Sequence, residues 1–252
     1  MTSPPAWIYQ LYTPELASLF LERPPELARS EATRLARLLR LEPRARVFDQ
    51  CCGIGALSIQ LAHSDYQVIG VDLIPDYIQV AKSKALADGL ESVDFYEGDA
   101  SEFSPQECDA AFNWWTSFGH CGDEGDAKMI QRAFESLKSG GRFALDYMNV
   151  PQVLSEFIPT HALHKRVEDE PLTLIRETTV DAERGWMHKT WTYISPERPA
   201  RSTTSQVKLY MPWEVKRMME SAGFVDIVCY GSLDGDPLTR LSTRLICVGR
   251  RP

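Results

Sequence analysis

Short apolar runs alternate along the chain with stretches that have helical spacing. One run begins at Val47, turns on two glycines and leads into ALSIQLA, which has helical character. Further runs begin at Val68, Val93 and Cys108, at intervals of roughly a strand plus a helix. Such an order predicts parallel strands joined by helices, with the carboxyl ends of the strands along one edge of a sheet.

The segments on either side add helices and two more strands. Helical spacing covers residues 14–22 and 26–41, and Pro24–Pro25 separates the two predicted helices. After Pro212, WEVKRMMESAGF predicts a helix that ends at Gly223, and FVDIVCYG and RLICVGR predict two final strands.

The middle of the chain has a different pattern. LTLIRETTV and WMHKTWTYI flank DAERG, which predicts a β-hairpin, and the extended run SQVKLYM follows. A segment this long after a core strand predicts a small antiparallel lid, with a dimerisation ribbon as the alternative. The predicted division is an N-terminal helical cap (1–44), a core (45–150 and 212–252) and a lid (151–211).

Polar residues mark the carboxyl ends of the predicted core strands: Asp49, Asp72, Asp99 and Asn113. Any one of these acids alone is explained by a turn or a helix cap. Together they indicate a ligand-binding edge, because open α/β sheets bind ligands beyond the carboxyl ends of their strands.

The turn after the first strand distinguishes between cofactors. A dinucleotide site needs a third glycine where this chain has Ser58, and Asp49 would repel a pyrophosphate. S-adenosylmethionine has no phosphate, and it carries positive charge on its sulfonium and amino groups. The turn therefore favours S-adenosylmethionine over NAD.

Residues 45–150 resemble the class I S-adenosylmethionine-dependent methyltransferases, small-molecule type. VFDQCCGIG is similar to the first motif of that family, with Asp49, Gly53 and Gly55 at matching positions and Cys51 where the family usually has a glycine. LKSGGRFALDYMN resembles the strand after the motifs, with Gly140 and Gly141 in the turn before it. The resemblance implies a Rossmann-like, seven-stranded, mostly parallel sheet with helices on both faces and an antiparallel β lid after strand five.

The later motifs imply the remaining cofactor contacts. VIGVDL resembles the second motif and implies that Asp72, with Leu73 beside it, holds the ribose. EGDA resembles the third motif and implies that Asp99 and Ala100 meet the adenine. Asn113 and Ser117, at the tip of the fourth strand, complete the predicted cofactor site.

Composition limits the partners. The net charge is −8, which gives no general attraction to a phosphate backbone, so we expect no nucleic-acid partner. No apolar segment is long enough for a membrane span, and MTSPPAWIYQ lacks the pattern of a signal peptide, so we expect a cytoplasmic protein. The six cysteines are scattered without a C-x-x-C pair, so neither a zinc site nor a disulfide framework is expected.

Methyl transfer from a sulfonium mainly requires alignment of the nucleophile and exclusion of water. His120, beyond the fourth strand, is the candidate base, and Tyr9 and Tyr12 are candidates for orienting the acceptor. Structural packing remains the alternative for all three. Arg29, as a contact of the methionine carboxylate, and Asp146, as a pocket residue, are further candidates.

Aromatic side chains outside the core predict the wall of the substrate pocket. Packing of the lid onto the core is the alternative for two of them, Trp186 and Trp191. The candidate substrate contacts are Trp114, Trp115, Tyr147, Trp186 and Trp191.

The sequence therefore predicts methyl transfer from S-adenosylmethionine to an O, N or C nucleophile of a small molecule, plausibly a specialised metabolite, by a possible homodimer. The alternatives are a nucleic-acid methyltransferase and a non-catalytic binding protein on the same fold.

Overall fold

The computed structural model describes residues 5–115, 117–167, 170–196 and 198–252. Two sheets and eight helices make up the described part of the chain. In chain order the elements are α1 (Ala6–Leu11), α2 (Pro14–Phe20), α3 (Pro25–Leu39), β1 (Arg46–Gln50), α4 (Ala56–Ala62), β2 (Gln67–Asp72), α5 (Pro75–Ala87), β3 (Val93–Glu97), β4 (Cys108–Asn113), α6 (Gly122–Ser136), β5 (Leu137–Met148), α7 (Val150–Ser155), β6 (Thr160–Val167), β7 (Glu170–Asp181), β8 (Trp186–Ser195), β9 (Arg198–Lys208), α8 (Pro212–Ser221), β10 (Val225–Tyr230) and β11 (Arg244–Arg250).

The larger sheet has seven strands in the order β10-β11-β5-β4-β1-β2-β3. Strands β1 to β5 pair in parallel, and β11 is antiparallel to both β5 and β10. The central strands are buried because helices cover both faces, which explains their continuous apolar runs. The predicted fold class is confirmed.

Two apolar clusters fill the faces of this sheet. On one face, Leu35 and Leu39 of α3 pack with Leu61 of α4. On the other face, Ile130 of α6 and Met219 of α8 pack with residues of the central strands. The layers hold the carboxyl ends of β1 to β4 at one edge of the sheet, where Asp72 and Asn113 are the last residues of β2 and β4.

The second sheet contains β6, β7, β8 and β9, all antiparallel and in sequence order. The predicted hairpin is present as β7 and β8, with Gly185 at a φ of 66° in the turn. The second sheet contacts α1 and α6 through β9, and α2 through β6. It therefore packs against the N-terminal helices, as a lid would.

Three local predictions were incomplete or wrong. Helix α1 and strand β6 were not predicted, because α1 is too short for a periodic pattern and β6 is mostly exposed. Gly140 and Gly141 lie inside β5 and not in a turn before it. The chain bulges at these glycines, because the pairing with β4 changes register after Cys108. The division into cap, core and lid stays a prediction.

Candidate active site

The turn between β1 and α4 depends on left-handed backbone conformations. Cys51, Gly53 and Gly55 have φ values of 63°, 55° and 76°. A β-carbon at Gly55 would lie 2.7 Å from Phe95, so this position requires glycine in space as well as in conformation. Cys51 adopts the left-handed conformation without being glycine, so the predicted departure from the family pattern leaves the path of the turn intact.

Asp72 connects this turn to the end of β2. Its carboxylate accepts hydrogen bonds from the backbone N–H groups of Gly53, at 2.8 Å, and Ile74, at 3.0 Å. Burial raises the pKa of Asp72, and the two backbone hydrogen bonds oppose that shift. An ionised carboxylate has about four lone-pair positions. Two of them are therefore left to accept hydrogen bonds from a ligand in the adjoining cavity.

Asp49 lies beneath the turn and does not line the cavity. It is buried and accepts a hydrogen bond from the Ser58 hydroxyl at 2.6 Å. Burial raises its pKa to about 7; the hydrogen bond from Ser58 opposes the shift and the charge of Asp72 adds to it. Asp49 therefore shapes the turn from below, and its predicted direct contact with the cofactor stays a prediction.

Asp49→Asn is expected to remove a pH dependence of stability. The carboxyl titrates near pH 7 when folded and near ~3.9 when unfolded, so its contribution to stability is lost as pH rises from about 4 to about 7. The variant should be more stable than the wild type at pH 8 by on the order of 4 kcal/mol, with little difference at pH 4. Urea unfolding at several pH values measures this, and an unchanged pH slope in the variant contradicts it.

A cavity of about 120 Å³ lies at the carboxyl edge of the sheet. It is bounded by the glycine turn, the ends of β2 to β4 and the helices α1 and α2. Eleven of the sequence-predicted residues line it: Tyr12, Cys51, Gly53, Asp72, Leu73, Asp99, Ala100, Trp114, Trp115, Ser117 and His120. The structure thus brings together the ends of three motifs that are far apart in sequence.

Other lining residues were not predicted. They are mostly apolar, and some of them are neighbours of motif residues in the sequence. The full set is Ile8, Leu21, Cys52, Ile54, Ile74, Tyr77, Cys121 and Met129. Ile54 and Ile74 directly follow predicted contact residues in the sequence, so they could have been predicted as neighbours of those contacts. Ile8 and Leu21 come from the N-terminal segment, and no local pattern predicted that they would reach the cavity.

Several candidates lie outside the lining of the cavity. Asn113 is buried and donates to Gln50 Oε1 at 3.1 Å, so it braces the tip of β4. Tyr147 is buried and its hydroxyl donates to the Lys208 carbonyl. Tyr9 is 49% exposed, and Arg29 is also exposed. Their predicted contacts with cofactor or substrate stay predictions.

Two tryptophans of the second sheet also lie outside it. The ring of Trp186 lies 3.5 Å from the β-carbon position of Gly122. The Trp191 indole N–H donates to the Ser205 hydroxyl at 2.8 Å, and its ring contacts Phe20 edge-on. Both rings contact the body of the protein, and their predicted contacts with the substrate stay predictions.

His120 faces two aromatic rings of the N-terminal segment. Its ring centroid is 5.4 Å from that of Trp7 and 6.1 Å from that of Tyr12. Its Nδ1 lies 3.0 Å from the Ser117 carbonyl, which can only accept, so Nδ1 carries the proton and Nε2 keeps its lone pair. Burial lowers the pKa of His120 to about 4. The ring is therefore neutral near pH 7, with an acceptor nitrogen available.

A buried charge cluster orients the two tryptophans at the end of β4. Glu31 accepts hydrogen bonds from the indole N–H groups of Trp114, at 2.9 Å, and Trp115, at 3.1 Å, and from Arg244 at 3.0 Å. Arg244 also donates to Asp146, which accepts from the Trp115 backbone N–H. Asp146 thus lies behind the cavity wall, and the cluster fixes two rings that line the cavity.

Glu31 has an unusual environment for a helix residue. Desolvation acts to raise its pKa, but the hydrogen bonds from Trp114 and Arg244 outweigh this and lower it. It lies on the buried side of α3, between Ala28 and Leu35. A carboxylate in an apolar stripe was the signal that would have identified it from sequence.

In the described part of the chain, no group of three or more His, Cys, Asp or Glu side chains is arranged to hold a metal ion. Nor does any helix of the described residues combine the length and apolar character needed to cross a membrane.

Residues 41–223 match the model of the methyltransferase domain family. The chain belongs to this family. It is a methyltransferase of the class I fold, and S-adenosylmethionine is its cofactor.

Solved structures share the fold across nearly the whole chain. The CcbJ methyltransferase from Streptomyces caelestis has a TM-score of 0.78 and 19% identity, and the match covers 96% of this chain and 98% of that one. CalS10, an amino pentose methyltransferase from Micromonospora echinaspora, has a TM-score of 0.69 and 20% identity, with 94% and 96% covered.

Curated sequences match over a shorter length. The 23S rRNA (uracil(1939)-C(5))-methyltransferase RlmD of Shewanella sp. (strain MR-4) is 33% identical over 145 residues, which cover 58% of this chain and 27% of that protein. The chain thus spans about a quarter of the length of this curated relative.

Proposed function

We propose that the protein transfers the methyl group of S-adenosylmethionine to an O, N or C nucleophile of a small molecule. The observation that carries this proposal is the enclosure of the cofactor edge: Ile8, Tyr12 and Leu21 of the N-terminal segment line the cavity, and the second sheet packs against α1 and α2. A covered site suits a small molecule, because pockets for small molecules enclose most of the surface of the ligand. The overall charge of −8 also disfavours a polyanionic acceptor.

The cavity residues fit the parts of this cofactor. Asp72 has acceptor positions for the ribose hydroxyls, next to the N–H groups it already binds. Asp99 and Ala100 lie where the adenine would contact the end of β3, and Cys51 and Gly53 lie where the methionine part would pass the turn. The cofactor supplies an electrophilic methyl group. The protein aligns the nucleophile with it and excludes water.

His120 is the candidate proton acceptor. Its neutral ring presents an Nε2 lone pair beside Tyr12 and Trp7, at the aromatic end of the cavity. Tyr12 is half-buried, and desolvation raises the pKa of its hydroxyl, so Tyr12 stays a neutral donor. Together they orient an acceptor hydroxyl or amine and take up its proton.

His120→Gln is expected to lower kcat by roughly tenfold, because a base with a pKa of about 4 contributes less near pH 7 than the ~100-fold or more of a base matched to the operating pH. Affinity for S-adenosylhomocysteine should change little. With a pKa of about 4, His120 stays neutral between pH 5.5 and 8, so its protonation should cause no fall in kcat/KM across that range. Initial rates measure this, with His188→Gln, on the exposed side of β8, as the control. An unchanged kcat in His120→Gln contradicts the role.

RNA methylation is the second candidate, because the matched curated relatives include the Shewanella rRNA methyltransferase. The experiment that separates the two uses S-adenosylmethionine with a tritiated methyl group. It is incubated with total RNA in one arm and, in the other, with a panel of phenols, amines, amino sugars and carbon nucleophiles, each with and without a carboxylate or phosphate group. Transfer to a panel compound above the no-enzyme control supports the proposal, and transfer to RNA alone overturns it.

We further propose a cytoplasmic location, where this cofactor is made and used. The possible homodimer stays a prediction, and sedimentation of the purified protein tests it.

A further inference from the structure

The inner face of the second sheet is the face that packs against the body of the protein. Side chains alternate between the faces of a strand. On β8 the inner series includes Met187 and Tyr193, which are both buried, and His188 and Ile194 are exposed on the outer face. Lys189 and Trp191 belong to the inner series by the same alternation.

Apolar residues hold the two ends of this face. At one end Met187 pairs with Val180 and Val207 and joins the core cluster that contains Phe118. At the other end Tyr193 pairs with Leu174, and both pack against Leu19 of α2. The sheet is therefore attached to the body on both sides of its middle.

Between these ends lies a group of inner-face residues that we call the polar belt. Its members are paired across β7, β8 and β9: Arg176, Thr178, Lys189, Trp191, Thr203 and Ser205. Thr178 and Ser205 are buried, and the Thr203 hydroxyl is buried without a hydrogen-bond partner in the described structure. Burying polar groups without hydrogen bonds costs free energy, so a surface that served only for packing would be expected to have apolar residues here.

The two cations of the polar belt have no acidic partner. Among the described residues, no carboxylate lies within 4.0 Å of Lys189 or Arg176. The Arg176 guanidinium lies 5.6 Å from the centre of the Trp191 ring. Burial lowers the pKa of both side chains, and burial together with the charge of Arg176 lowers the pKa of Lys189 to about 8.

The polar belt lies near the loop that carries His120. The Lys208 backbone N–H of β9 donates to the Gly119 carbonyl at 2.7 Å, and the charge of Lys189 contributes to the lowered pKa of His120. Trp7 packs on His120 from α1, and its indole N–H is also buried without a partner among the described residues. Two cations and two buried groups without hydrogen-bond partners in the described structure, the Thr203 hydroxyl and the Trp7 indole N–H, therefore belong to the elements packed around the candidate base.

We propose that Lys189 and Arg176 bind an anionic group of the methyl acceptor, a carboxylate or a phosphate, with Thr203 and Trp7 as additional hydrogen-bond partners. This rests on the proposed function, because it assigns the polar belt to the acceptor of the same site. The physical reason is that unpaired, partly buried cations destabilise the free protein, and an anion bound between them offsets that cost. The acceptor is accordingly an acidic small molecule and not a neutral or cationic one.

The experiment measures anion binding to protein saturated with S-adenosylhomocysteine. Acetate and inorganic phosphate are the probes, chloride at equal ionic strength is the reference, and the thermal midpoint of unfolding is the readout. We expect acetate or phosphate at tenfold its dissociation constant to raise the midpoint by about 3 °C over chloride. Lys189→Met and Arg176→Met should each lose most of this rise, and Lys128→Met, an exposed lysine of α6, should keep it.

A response to acetate assigns a carboxylate, and a response to phosphate alone assigns a phosphate ester. A wild-type protein that binds S-adenosylhomocysteine but responds to neither anion overturns the inference and leaves the proposed function standing. Protein that fails to bind S-adenosylhomocysteine overturns the proposed function instead. A large loss of S-adenosylhomocysteine affinity in Lys189→Met overturns the inference too, because it places the cation in the cofactor site.

The stability of the ligand-free variant gives an independent readout. Lys189→Met removes an unpaired charge and keeps an unbranched side chain, so the thermal midpoint should rise by about 2 °C. Lys189→Gln, which keeps a polar side chain, should lose the anion response to the same extent. A fall in the midpoint of Lys189→Met would show that the ammonium group stabilises the free fold, and that contradicts the proposal.

Discussion

Asp72→Ala is expected to weaken the binding of S-adenosylhomocysteine by about 100-fold or more. The carboxylate has acceptor positions for two ribose hydroxyls, and a hydrogen bond to a charged group contributes roughly 1.5–3 kcal/mol. Losing two such bonds corresponds to at least about two factors of ten in the dissociation constant. Calorimetric titration of the purified variants measures this directly.

The effect of Asp72 on the fold must be separated from its effect on the ligand. Its carboxylate also accepts the N–H groups of Gly53 and Ile74, so removing it loosens the glycine turn. Asp72→Asn keeps one acceptor oxygen and should lose less affinity than Asp72→Ala. Asp76→Ala removes an exposed carboxylate at the start of α5 and serves as the control for charge. Affinity within threefold of the wild type in Asp72→Ala would contradict the assignment of the ribose site.

The cofactor edge was predictable because its signals are local. The glycines of the turn, the acid that ends β2 and the acid after β3 each follow a short apolar run. Parallel strands joined by helices bring such positions to one edge whatever the details of packing. Asp72, Asp99 and Ala100 therefore line the cavity as the motifs imply.

The acceptor side was less predictable because it is built from distant segments. Trp191 and Tyr147 belong to segments near the site, but their rings pack between layers, and only the tertiary arrangement decides which way an aromatic ring is used. The N-terminal residues Ile8 and Leu21 reach the cavity through helix packing that no periodic pattern reveals.

Two charged residues stand at positions where the sequence pattern predicts buried apolar residues, a feature that the overall composition does not show. Glu31 interrupts the apolar stripe of α3, and Lys189 interrupts the inner series of β8. A charged side chain at a position that periodicity assigns to the interior is expensive unless it is paired, so such residues point to a buried partner or to a ligand. For Glu31 the structure supplies the partners, and for Lys189 we infer a ligand.

Glu31→Leu is expected to destabilise the protein by about 2–4 kcal/mol, because two indole N–H groups lose their acceptor while Arg244 keeps Asp146 as a partner. The substitution leaves the Trp114 and Trp115 indole N–H groups without their acceptor and removes one of the two carboxylates that Arg244 contacts. Because both rings line the cavity, affinity for S-adenosylhomocysteine should also fall, by roughly tenfold.

The double variant Glu31→Leu/Arg244→Met tests whether Arg244 also stabilises the buried Asp146. Arg244 lies between Glu31 and Asp146, with its guanidinium 4.8 Å from the centre of the Trp114 ring. Removing both partners should destabilise the protein more than Glu31→Leu alone, because Asp146 is then left buried without its cation. Urea unfolding measures both variants, with Glu26→Leu, on the exposed first turn of α3, as the control. A loss below about 1 kcal/mol in Glu31→Leu would mean that the cluster behaves as a surface ion pair and does not position the cavity wall.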